Sequence, residues 1–142
     1  MRHHRVLVQA LAEVPLFATC SKRDLQIVAR HMQVVAVPAG TALMREGDRG
    51  DAFYVVLKGE AIVESTGKAV AVLRPGDHVG ELALLDPAPR NATVTSTADM
   101  TVGVIDARTF AAIVRDVPAL TGKLLAALAR RLRQRDREAA VR

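Results

Sequence analysis

Apolar and polar positions change rhythm twice along the chain. From residue 5 to residue 33 they recur at helical spacing. "VLVQALAEVPLF" sets its apolar residues on one face, and Pro15 ends or bends that piece. "SKRDLQIVARHM" opens with Ser21 and Asp24 in the Ser-x-x-Asp arrangement of a helix start, and Leu25, Ile27, Val28 and Met32 supply an apolar face. From Val34 to Ile105 the texture turns to short β-branched runs: "VVAV", "TALMR", "AFYVVL", "EAIVES", "KAVAVL", "NATVTST" and "MTVGVID". Turn-forming separators such as "PAG", "EGDRGD" and "RPGDHVG" stand between them. Seven or eight short strands at this spacing predict a β-sandwich or barrel. In "EGDRGD", Gly47 and Gly50 can take positive φ where other residues would strain. Helical spacing then returns. "DARTFAAIVRDV" starts at an Asp106 cap; a second helix is expected to start at an Asp116 cap with Pro118 in its first turn. Leu120, Leu124, Leu128 and Leu132 form one stripe along that helix.

A chain of 142 residues is sufficient for one core without disulfides or metals. The expected organisation is a single domain over 1–142: a helical segment (1–33), a β-roll (34–105) and C-terminal helices (106–142). Aromatic residues are only 3% of the chain, so the core is expected to be built from Val, Leu, Ile and Ala. The net charge of +5 is concentrated: Arg130 to Arg142 holds six arginines against Asp136 and Glu138, leaving the body close to neutral. The body lacks the basic and aromatic interleaving of a nucleic-acid groove. DNA or membrane contact by the tail is therefore a minor reading beside a solvated face. Cys20 is the only cysteine, which removes any internal disulfide framework and favours a cytoplasmic setting. His3, His4, His31 and His78 show no metal-ligand spacing, and no nucleophile-and-base set accompanies Ser21, so no catalytic activity, metal or cofactor is expected.

The candidate chemistry lies in "VGELALLDPAPRNATV", residues 79 to 94. If "VGELALLD" forms a short helical turn, the Leu82 and Ala83 amides at its start lack intrahelical acceptors and face an anion. Gly80 leaves room for a ligand to approach the backbone. Pro87 and Pro89 stiffen the return and fix where Arg90 enters the next strand. A guanidinium opposite those amides can grip two phosphate oxygens. Glu81 is an acceptor and suits a sugar hydroxyl. Anion site and hydroxyl acceptor together predict a phosphorylated sugar.

This stretch resembles the phosphate-binding cassette of cyclic nucleotide-binding domains. The family's Phe-Gly-Glu and Pro-Arg-x-Ala elements appear as Gly80-Glu81-Leu82-Ala83 and Pro89-Arg90-Asn91-Ala92, with "EGDRGDAFYVVLKGE", "LRPGDHVGEL" and "VPLF" in register upstream. The resemblance implies an eight-stranded double-stranded β-helix (jelly roll), mainly β with N-terminal helices and a long C-terminal helix. It implies that Arg90 binds the exocyclic phosphate oxygens and that Glu81 accepts from the ribose 2′-hydroxyl. Leu82 and Ala83 complete the cradle, and the base lies against Val70 and Val72 under a lid from the C-terminal helix. Val79 stands where phenylalanine is usual and is expected to pack inward. Asn91 follows the arginine, leaving purine choice open between cAMP, the expected ligand, and cGMP. The implied role is a regulatory sensor that signals through its C-terminal helices. Such a domain stands free or belongs to a larger effector protein; a homodimer along the leucine stripe is a second use of that face. The competing class is a degenerate β-roll that binds protein partners and no nucleotide.

Overall fold

The computed structural model describes residues 2–141. Met1 and Arg142 lie outside the described residues, as do the side chains of Arg2, Arg131 and residues 138–141.

The N-terminal segment is helical, as its spacing predicts. Helix α1 spans Arg2–Ala12, a single 3₁₀ turn spans Pro15–Phe17, and α2 spans Lys22–Arg30. Pro15 opens the 3₁₀ turn, where its missing N–H leaves no bond unmade. Ser21 caps α2 with a complete capping box: its hydroxyl accepts from the Asp24 amide at 3.1 Å, and the Asp24 carboxylate accepts from the Ser21 amide at 2.9 Å.

Every run singled out by its β-branched texture becomes a strand. These are β1 (Gln33–Val37), β2 (Ala42–Met44), β4 (Ala52–Lys58), β5 (Ala61–Ser65), β6 (Lys68–Leu73), β9 (Thr93–Ser96) and β10 (Met100–Asp106). Three two-residue strands complete the set: β3 (Arg49–Gly50), β7 (His78–Val79) and β8 (Ala88–Pro89). They form one four-stranded antiparallel sheet in the order β1-β10-β4-β7, a second in the order β2-β9-β5-β6, and a β3-β8 ribbon. The two larger sheets make the roll.

Alternation along β4 divides two cores. Phe53 and Val55 point to the helices, whereas Tyr54 and Val56 point into the roll. The helix-side cluster gathers Leu7, Leu11, Leu16, Phe17, Leu25, Val28, Phe110 and Leu120 around them. The chain's three phenylalanines are all here, with Phe17 edge-on to both Phe53 (6.4 Å) and Phe110 (5.8 Å). The aliphatic core expected from composition is thus found only inside the roll, where Val37, Met44, Val56, Val63, Val94 and Val102 pack.

Helix α3 spans Ala107–Asp116, capped by Asp106, whose carboxylate accepts from the Thr109 amide at 2.7 Å. Helix α4 spans Ala119–Val141. Contrary to expectation, Asp116 does not cap α4: it is the last residue of α3, and Val117 and Pro118 make the break between the two helices. The leucine stripe divides as well: Leu120 and Leu124 are buried in the helix-side core, whereas Leu132 is 60% exposed. Among the described residues, no helix is long and apolar enough to cross a membrane.

Candidate functional site

Arg90 is positioned by backbone before its side chain does anything. Its amide donates to the Asp48 carbonyl (2.8 Å), and its carbonyl accepts from the Gly47 amide (2.8 Å). The β3-β8 ribbon, pairing Arg49 with Pro89 and Gly50 with Ala88, clips the "EGDRGD" turn to the proline-stiffened return. Two motifs forty residues apart in the sequence therefore close on the same side chain.

The guanidinium lies in a slot between two glycines. Its Nη2 donates to the Ala52 carbonyl at 2.8 Å. A Cβ on Gly50 would stand 2.3 Å from Arg90 Nε, so a side chain there would displace the guanidinium. Of the two glycines of this turn, Gly47 takes positive φ, at 89°, and Gly50 does not. What Gly50 supplies is space. Gly80 supplies both space and conformation: its φ is 88°, and a Cβ would stand 2.7 Å from the Ala52 carbonyl oxygen and 3.0 Å from Arg90 Nη1.

After Gly80 the chain forms the expected short turn, a 3₁₀ helix over Glu81–Leu84. The tighter helix changes the amide accounting. Ala83 N donates to the Gly80 carbonyl at 3.1 Å, so this amide is already engaged and not free as expected, because 3₁₀ bonds close one residue earlier than α bonds. The Glu81 carboxylate accepts from the Leu16 amide at 3.1 Å. That link joins the cassette to the N-terminal 3₁₀ turn across 65 residues of sequence.

Two cavities meet at Arg90. One, of about 300 Å³, is lined by Met44, Val79 and the turn from Gly80 to Ala83, then by Arg90 and Asn91. The other, of about 260 Å³, is lined by Met44, the 48–52 turn, Tyr54 and Arg90. The first is at the small end of the range for small-molecule sites. Tyr54 donates its hydroxyl to the Leu43 carbonyl at 3.2 Å. Burial pushes its phenol above the ordinary value, with Arg90 acting in the opposite direction.

Of the residues predicted for the site, Gly80, Glu81, Leu82, Ala83, Arg90 and Asn91 come together around the first cavity. Ala92 is buried in the roll core, behind the wall and not on it. Val70 and Val72, on β6, do not line either of these two cavities. Val72 pairs with Ile62, one residue out of step with the buried Ala61–Leu73 pair, so the two-residue alternation turns it outward. Val70 is 61% exposed on the same edge strand. Val79, expected to pack inward, packs against the roll core and also lines the cavity. Met44 lines both cavities, and its only signal in the sequence is its place at the end of a run that reads as an ordinary strand. The expected helical lid does not cover the site: among the described residues, neither cavity is lined by α3 or α4. Instead α4 is docked on the N-terminal segment. Thr19 donates its hydroxyl to the Lys123 carbonyl at 2.7 Å, and Lys123 pairs with the largely buried Asp24 carboxylate. The Lys123 ammonium holds that carboxyl below its usual range, against the upward push of burial.

Comparison with known proteins places this geometry. Residues 34–116 match the family model described as "Cyclic nucleotide-binding domain". The cAMP-dependent protein kinase regulatory subunit of Schizosaccharomyces pombe is 38% identical over 110 residues, covering 77% of this chain and 27% of that protein. The chain spans about a quarter of the length of the kinase regulatory subunits it matches. Among solved structures, the N-terminal domain of a transcriptional regulator from Streptomyces coelicolor A3(2) superposes with a TM-score of 0.83 at 31% identity, covering 92% of this chain and 94% of that one. The regulatory domain of Toxoplasma gondii PKA with cAMP superposes with a TM-score of 0.70 at 39% identity, covering 82% and 46%. The chain belongs to the cyclic nucleotide-binding domain family.

Proposed function

We propose that this domain binds a cyclic nucleoside monophosphate, cAMP in preference to cGMP, and reports its occupancy through α3 and α4. The observation that carries this reading is the Arg90 slot. A guanidinium fixed by its own backbone, flanked by two glycines and opening on two cavities, suits an anion arriving from the cavity. In this reading Arg90 takes the exocyclic phosphate oxygens and Gly80 gives clearance. Glu81 accepts from the ribose 2′-hydroxyl, and the backbone at Leu82 and Ala83 completes the cradle. The Ala83 amide then shares its hydrogen bond between Gly80 and the phosphate or releases the turn. Met44 and Val79 supply the apolar wall. The cAMP preference is supported by the relatives named for it. Asn91, on the wall beside Arg90, is the residue whose amide oxygen suits the 2-amino group of guanine, and so the one that would admit cGMP.

A melting experiment with cAMP and cGMP side by side tests the reading. A ligand selective for the folded state at a hundred times its Kd adds about 2.7 kcal/mol, which for a domain of this size raises Tm by roughly 5–10 °C. The expected result is a shift with both nucleotides at high concentration and with cAMP alone at low concentration. No shift with either would favour the second reading, a β-roll that works through protein contacts. That alternative is supported by Leu125 and Leu132, 61% and 60% exposed on α4.

A further inference from the structure

A cavity of about 530 Å³ shares no lining residue with the two that meet at Arg90. It is a groove walled by the end of the cassette turn, by α3 and by the first turns of α4. Its floor is Leu84, Phe110 and Leu124, all buried members of the helix-side core. Packing fixes that floor, so the groove is already formed with α4 where it stands. Leu85 and Leu125, at the rim, are exposed. Of the side chains that line the groove, only Arg115 carries a charge. Seven residues on from Leu125 and Leu128 come Leu132 and Arg135, so the line that leaves the groove along α4 passes from leucine to arginine. Residues 130–137 hold five arginines against Asp136. Ion pairs among the described residues join Arg74 to Glu60 and Lys123 to Asp24, and none reaches Arg115, Arg130, Arg133, Arg135 or Arg137.

From this we infer that the groove docks an amphipathic helix of a partner protein, with leucine-like side chains on one face and acidic flanks. Side chains at i, i+3 and i+7 of that helix fill the apolar floor and rim. Arg115 at the α3–α4 break and the arginines of 130–137 at the far end take its carboxylates. Charge decides against a second copy of this chain as the occupant. Laid parallel on the same seam, two copies would set Arg135 against Arg135; laid antiparallel, they would set Arg135 at the Arg115 end. Either way a positive strip without partners is doubled. Shape decides against a lipid surface: a bilayer presents a plane, and this groove is concave between three elements. The inference does not depend on what the cavities at Arg90 bind.

The test titrates the full chain into two labelled synthetic helical peptides and reads fluorescence anisotropy. Both peptides carry leucines at i, i+3 and i+7; one has glutamates on its other faces, the second lysines. The glutamate peptide is expected to bind wild type at least about tenfold more tightly than the lysine peptide, with affinity that falls as salt rises. Leu125→Asn, at an exposed position, is expected to weaken the glutamate peptide roughly tenfold with stability unchanged. Arg135→Glu is expected to weaken the glutamate peptide by about threefold to tenfold and to strengthen the lysine peptide, a reversal that nonspecific adhesion does not produce. Arg90→Leu is expected to leave peptide binding unchanged, so failure of the nucleotide reading and failure of the groove are read separately. Binding of neither peptide, equal binding of both, or binding that survives Leu125→Asn overturns the inference. Two further results overturn it by assigning the groove elsewhere. Dimerisation of wild type that Leu125→Asn abolishes would give it to a second copy. Leu125-dependent binding to phosphatidylglycerol vesicles, with no peptide binding, would give it to lipid.

Discussion

The two cores of this domain are built to different standards of completeness. The helix-side core holds all three phenylalanines, interlocked edge to face, with Leu11, Leu16, Val14 and Val28 fully buried around them. The core inside the roll holds Val, Met, Ala and Leu73, and at one end it gives way to cavities at Arg90. Protein interiors pack at near-crystalline density, so an end left open beside a fixed charged side chain suits the ligand proposed above. The cassette straddles the two. Leu84 is buried in the helix-side core, Val79 packs on the roll core, and Gly80 to Ala83 line the cavity between them. In the proposed reading, a ligand in the unfinished core would push on an element anchored in the finished one.

That contrast can be broken at several points. The largest effect is expected in the finished core: Phe17→Ala removes the ring that joins Phe53 to Phe110 and should cost about 3–5 kcal/mol, read as a drop in denaturation midpoint. Val94→Ala, in the roll core, should cost about 2 kcal/mol, since two methyl groups are lost and the open end allows some relaxation. Equal losses in the two variants would argue that both cores are packed alike. Gly80→Ala should abolish nucleotide binding more than it lowers stability, because the new Cβ meets the Ala52 carbonyl and crowds Arg90. A titration and a melt on the same sample check this; a variant that keeps wild-type affinity would contradict it.

Smaller effects come from the caps. Ser21→Ala should cost about 1 kcal/mol by equilibrium unfolding. Asp24 and Asp106 both have carboxyls held below their usual range, Asp24 mainly by Lys123 and Asp106 mainly by the Thr109 amide. Groups with depressed folded-state values stabilise the fold above their unfolded values, about pH 4, and that stabilisation is lost as pH falls through the folded values. Stability should therefore be flat from neutral pH to about pH 5 and then decline, less steeply in Asp106→Asn; an unchanged slope in that variant would remove Asp106 from the account.

Much of this was legible from residue spacing. The seven longer strands, the capping box and the Asp106 cap rest on local rules of period and hydrogen bonding, which need no tertiary information. The cassette was legible because its parts are close in sequence. Strands β3, β7 and β8 were not, since two residues carry no periodicity; they exist because their partners are already in place. The space Gly50 supplies is not legible for the same reason: its neighbour, the Arg90 guanidinium, arrives from forty residues away. The resemblance places Val72 against the base, whereas its pairing with Ile62, next to the buried Ala61–Leu73 pair, puts it on the opposite face from Leu73. The Leu16–Glu81 bond and the Asp24–Lys123 pair are long-range contacts between residue types common on any surface, and no local pattern announces them.

The central claim is that the unfinished end of the roll receives a cyclic phosphate and that Arg90 reads it. Calorimetric titration of cAMP into wild type and Arg90→Leu tests this most directly. The account predicts saturable binding to wild type and at least tenfold weaker binding to the variant, the loss of a charge-assisted contact worth about 1.5–3 kcal/mol. Binding of the same strength to both proteins would contradict it.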